Sequence, residues 1–82
     1  MRMRRKSSIR GDFFYEREGN GEGWIVSRRT GPTSGLFRGI GIARSVGRRR
    51  WDGYRAGVMV CPDYRSREQV AYCLNRKQEE ER

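Results

Sequence analysis

The sequence predicts an α+β fold, a small antiparallel β-sheet of three to five strands packed on one C-terminal α-helix. Three observations lead there. Two strand-like stretches flank a glycine cluster near the N-terminus, an Asp-Gly pair sits between two further strand-like arms, and a well-capped helical segment closes the chain. With 82 residues, 34% of them hydrophobic, the chain holds enough apolar surface for one thin core and too little for two. A single small domain over 11–78 is therefore expected, preceded by a disordered basic arm over 1–10 and followed by a frayed acidic tail over 79–82.

In the arm, Arg2, Arg4, Arg5, Lys6 and Arg10 leave almost nothing for a core. Phe13-Phe14-Tyr15 opens the first strand, which ends in Glu18-Gly19-Asn20-Gly21-Glu22-Gly23, where Asn20-Gly21 favours a tight turn. Trp24-Ile25-Val26-Ser27-Arg28-Arg29 returns as the second strand of a hairpin. The Gly and Pro of Thr30-Gly31-Pro32-Thr33-Ser34-Gly35 then break the chain. From Leu36 to Ser45, the apolar Leu36, Ile40 and Ile42 share one parity with Arg38 and Arg44, as in an exposed or partly covered strand. Gly39 and Gly41 mark a bulge or a place where another backbone comes close.

Asp52-Gly53 lies centred between Arg48-Arg49-Arg50-Trp51 and Tyr54-Arg55-Ala56-Gly57, a composition that fits a two-residue type I′ hairpin. That turn would set Trp51 opposite Tyr54 and Arg50 opposite Arg55. Alternation then places Trp51, Tyr54, Ala56, Val58 and Val60 on a core face, and Arg48, Arg50, Arg55 and Met59 on a basic outer face. Opposed arginines repel unless an anion is laid across them. Ser66 fits the N-cap of the closing helix, Gln69 completes a capping box and Pro62 stands upstream as a breaker. Val70, Cys73, Leu74 and Lys77 follow helical spacing on one stripe. Cys61 and Cys73 fall where they could be neighbours and read as buried free thiols.

Residues 1–55 carry fourteen Lys/Arg against five Asp/Glu, whereas residues 56–82 carry five of each, so the entire net charge of +9 sits in the first part of the chain. Seventeen of the nineteen cations are Arg, whose planar fork suits phosphates and guanine edges. A polyanionic partner follows, with nucleic acid first, DNA ahead of RNA, and an acidic protein surface as the alternative. Catalysis is not expected: the chain has no His, no paired nucleophile and base, and no P-loop Lys-Ser/Thr after its glycines. No cofactor, metal or small-molecule substrate is expected either, since two Cys without His make a poor zinc set. With no run of about 20 apolar residues, no membrane association is expected; the location expected is cytoplasmic, on the nucleoid for a bacterial or phage protein or in the nucleus of a eukaryote.

From Gly39 to Asn75, the sequence Gly39-Ile40-Gly41-Ile42, Trp51-Asp52-Gly53, Gly57-Val58 and Tyr64-Arg65-Ser66-Arg67-Glu68-Gln69-Val70-Ala71 resembles AP2-type DNA-binding domains and the related arm-binding domains of phage integrases. The likeness covers under half of the chain. It implies a three-stranded antiparallel sheet on one helix, with the outer sheet face in the major groove of duplex DNA and Arg38, Arg44, Arg48, Arg50 and Arg55 turned toward it. The extra hairpin over 13–29 has no counterpart in the smallest members, and Cys61-Pro62-Asp63 intervenes before the helix. Together, charge and resemblance give a nucleic-acid-binding set of Arg4, Arg5, Lys6, Arg10, Arg28, Arg38, Arg44, Arg48, Arg50 and Arg55. The alternative is a small phage- or plasmid-type interaction protein anchored through Phe14, Trp24 or Phe37 in a cation-rimmed patch.

Overall fold

Each strand of the sheet pairs with the strand that precedes it in sequence, so the chain folds as an antiparallel meander that ends in one helix. The computed structural model describes residues 7–19, 23–31, 33 and 35–80. The strands are β1 (Ser7–Arg10), β2 (Phe13–Arg17), β3 (Gly23–Arg29), β4 (Phe37–Gly47), β5 (Arg50–Arg55) and β6 (Val58–Tyr64), and the helix is α1 (Arg67–Glu80). Among the described residues the α+β class and the single C-terminal helix agree with expectation, and the sheet has six strands where three to five were expected.

The sixth strand comes from the segment expected to be a disordered arm. Ser7–Arg10 pairs with β2 through a two-residue turn in which Gly11 has φ 60°. Glycine at the first turn position suits a type II′ hairpin, and pairing satisfies backbone donors that an unpaired β2 edge would leave open. A charge-rich segment can therefore be ordered while adding little to a core. Residues 1–6, with Arg4, Arg5 and Lys6, lie outside the described residues.

The α1 helix lies along β4, β5 and β6. Its buried residues Val70, Ala71, Cys73 and Leu74 meet Phe13, Tyr15, Val26, Ile40, Ala43 and Cys61 of the sheet. Longer side chains carry the contact to the far strands: the Tyr72 ring meets Phe13 edge-on at 5.2 Å, and Arg67 lies 4.0 Å over Tyr15 and 4.6 Å over Trp24. The helix starts where expected. The Gln69 amide donates to Ser66 Oγ at 3.1 Å, and Gln69 Oε1 accepts from the Arg65 amide at 2.9 Å. It continues through Glu79 and Glu80 of the expected tail, whose last two residues, Glu81 and Arg82, lie outside the described residues. No helix is long and apolar enough to cross a membrane among the described residues.

Two further expectations are corrected. Cys61 of β6 and Cys73 of α1 form a disulfide with Cα atoms 6.2 Å apart, instead of two free thiols. Asp52-Gly53 lies inside β5, and the reversal falls at Ala56-Gly57, where φ is 50° and 80°. Positive φ at both central residues makes this the type I′ turn. Trp51 therefore pairs with Tyr64 rather than Tyr54. Gly53 is held in the strand because the helix comes close: a Cβ there would sit 2.7 Å from Val70 Cγ1 and 2.9 Å from Cys61 Cβ.

Candidate nucleic-acid interface

Strand register sorts the side chains onto two faces. On the face away from α1, Glu16, Ile25, Ile42, Tyr54 and Met59 form one continuous row, each residue partnered with the next from β2 to β6. Arg44 and Asp52 form a parallel row toward the β4–β5 turn. Ile9 and Phe14 flank the row on its other side, followed by the pair Arg29 and Phe37. Ile25, Ile42, Arg44 and Tyr54 line a hollow of about 410 Å³ on this face.

Aromatic rings and guanidinium groups alternate there. The Phe14 and Phe37 rings lie 5.4 Å apart, Arg29 lies 4.9 Å over Phe37 and Arg44 lies 5.4 Å over Tyr54. A cation over a ring face is held by the ring quadrupole and leaves the guanidinium plane as a stacking surface in its own right. Carboxylates of the chain hold several of these cations. Arg44 makes a two-pronged contact with Glu18 at 3.1 and 3.3 Å, Arg50 meets Asp63 at 3.1 Å and Arg29 meets Asp12 at 3.6 Å.

The expected binding set is divided by this geometry. Arg44 and Arg50 lie on the open face, and Arg48 stands exposed with Arg49 at the tip of the β4–β5 hairpin. Arg28 and Arg38 are cross-strand partners on the opposite, helix side. Arg10 shares their side at the sheet edge, through its register with Phe13. Arg55 also turns to the helix side, because Tyr54 before it faces outward; Arg50 and Arg55 therefore neither oppose each other nor share a face. The displaced turn accounts for this. Moving the reversal from Asp52-Gly53 to Ala56-Gly57 places both arms of the predicted hairpin in one strand.

Tyr54 is the chief residue missed, since the wrong turn sent it to the core. Phe14 and Phe37, expected only as protein anchors, belong to the same platform. Trp24, expected beside them, lies on the helix side under Arg67 and Arg17. No family model matches the chain, nor does any curated protein or solved structure.

Proposed function

We propose that this chain is a nucleic-acid-binding module that receives the strand on the open face of its sheet, with single strands preferred to duplex. The observation that carries this reading is the aromatic and guanidinium platform of Phe14, Phe37, Tyr54, Arg29 and Arg44 on the uncovered face, beside the cationic hairpin tip. Bases of any sequence can stack on such surfaces, and arginines at the margin neutralise phosphates. Size favours the single strand: six strands at a spacing of about 4.8 Å span about 24 Å, twice the width of a major groove. Duplex readout in the manner of AP2-type domains would have to use the β4–β5 ribbon alone.

Arg48 and Arg49 at the tip have no ion pair among the described residues, and Arg50 has an exposed one that a phosphate can displace at little cost. Arg44, held in two places by Glu18, serves to position Tyr54. Arg4, Arg5 and Lys6 would add further phosphate contacts.

Fluorescence anisotropy with a single-stranded oligonucleotide, its duplex and a structured RNA, at low and moderate salt, tests the reading. The single strand should bind most tightly. Replacing Arg48, Arg49 and Arg50 together by Gln should lower the slope of log affinity against log salt by about 2. Tyr54→Ala should weaken single-strand binding by about 1–3 kcal/mol. Unchanged affinity in both variants would refute the proposal.

A second reading rests on the exposure of Ile9 and Met59, 55% and 48%, at the two ends of the same face. An apolar surface rimmed by arginines also suits an acidic protein partner. Recovery of one acidic protein on the immobilised chain after nuclease treatment, lost in Tyr54→Ala, would favour it.

A further inference from the structure

Arg28 of β3 and Arg38 of β4 stand directly opposite each other on the helix side of the sheet. Side chains so paired have Cβ atoms about 5 Å apart, and like charges at that separation destabilise a sheet. Together with Arg29, Thr30, Ile40 and Gln78 these two arginines wall a solvent-open cleft of about 130 Å³ beside the C-terminal end of α1. A cleft of that size, open to solvent, has room for a tetrahedral oxyanion.

The chemistry of the walls fits that occupant. Each guanidinium presents a planar fork that matches two oxygens of a phosphate, and the Gln78 amide can donate a further hydrogen bond. Arg38 is exposed and has no ion pair among the described residues. Arg28 already holds an oxyanion of the chain itself, the Glu79 carboxylate at 3.6 Å, with the side chains 42% and 56% exposed. A pair that long and that accessible to water is weak and exchangeable.

We propose that Arg28 and Arg38, with Gln78, form a binding site for a phosphate group on the helix side of the sheet, bordered by Arg29 and competed for by Glu79. The site rests on the cross-strand pair and its cavity, and it stands whether or not the open face binds nucleic acid.

The test is a titration of the full chain with inorganic phosphate at constant ionic strength, followed by backbone amide NMR. Saturable shifts are expected at Arg28, Arg38 and Gln78. Arg38→Gln should weaken phosphate binding about tenfold, the loss expected for one charged hydrogen-bonding group. Glu79→Gln should tighten it. In phosphate-free buffer, Arg38→Gln should melt a few degrees above the parent, because it removes the like-charge pair. Weaker binding in a more stable protein is an outcome that a purely structural Arg38 would not give. The Gln variants of Arg48, Arg49 and Arg50 should keep phosphate affinity at this pocket, so its failure and that of the open face are told apart.

The source of the phosphate follows from competition. A 5′-phosphorylated oligonucleotide that displaces inorganic phosphate better than its unphosphorylated twin identifies a strand end, and a mononucleotide that outcompetes both identifies a small phosphorylated ligand. Shifts that do not saturate, or equal affinity in Arg38→Gln and the parent, would overturn the site.

Discussion

Tyr15 is fully buried in the thin core, its hydroxyl has no hydrogen-bond partner among the described residues, and Arg67 lies 4.0 Å over its ring. Burial is the first cause that pushes its hydroxyl from 10.0 up to about 12; the nearby Glu68 charge adds to the shift and Arg67 opposes it. Below pH 10 the tyrosine keeps its proton in both folded and unfolded chains, so it contributes no pH dependence. As pH rises from 10 toward 12 the unfolded chain loses its proton first, and stability falls by on the order of 2 kcal/mol. Tyr15→Phe removes both the ionisation and the unpaired hydroxyl. It should match or exceed the parent at pH 8 and lose stability less steeply between pH 10 and 12 in urea unfolding. Parallel pH profiles for the two proteins would contradict this account of the core.

Among the elements, α1 was the most legible because its determinants are local: Ser66, Gln69 and a 3.6-residue apolar stripe all lie within the segment they specify. The hairpin of β2 and β3 was legible for the same reason, with its turn residues between two strand-like runs. The bulge opposite Val26 and Ser27 falls among the glycines that were expected to mark one. The failure at β5 came from a glycine whose reason is tertiary. Gly53 makes room for Val70 and Cys61, and Asp52 accepts the Asp63 amide at 2.7 Å, so neither residue serves a turn although the pair has turn composition. The turn itself uses Ala56 with φ 50°, a left-handed conformation that costs an alanine about 1–2 kcal/mol. Asparagine tolerates it, and Asn-Gly is the preferred pair for this turn type. Ala56→Asn should therefore raise the urea midpoint by an amount worth about 0.5–1 kcal/mol at unchanged m-value. A lower midpoint would mean that Ala56 is held by contacts rather than by the turn. Tyr54, the platform ring on β5, was hidden by this one reversal, because parity follows from the turn and a misplaced turn sends Tyr54 and Arg55 to the wrong faces.

At the scale of the whole molecule, one covalent link joins the last strand to the helix that covers only one side of the sheet. Cys61 and Cys73 are 12 residues apart in sequence, and closing a loop of about that length removes unfolded-state entropy worth roughly 3 kcal/mol. A domain of this size has a total stability of about 4–12 kcal/mol, so the disulfide accounts for a large share of it. Reduction, or replacement of both cysteines by Ala, should lower the melting temperature by about 10–20 °C. The open face is on the other side of the sheet from α1, and the Ala56-Gly57 turn and the β4–β5 tip are held by strand pairing and, at the tip, by the Arg50–Asp63 contact. Single-strand affinity measured well below the lowered melting point should therefore be nearly unchanged in the reduced protein. The two readouts separate the covered side of the sheet from the exposed one: a melting temperature indifferent to reductant would remove the disulfide from the stability of the fold, and affinity lost in step with it would mean that the binding face depends on the helix packed behind it.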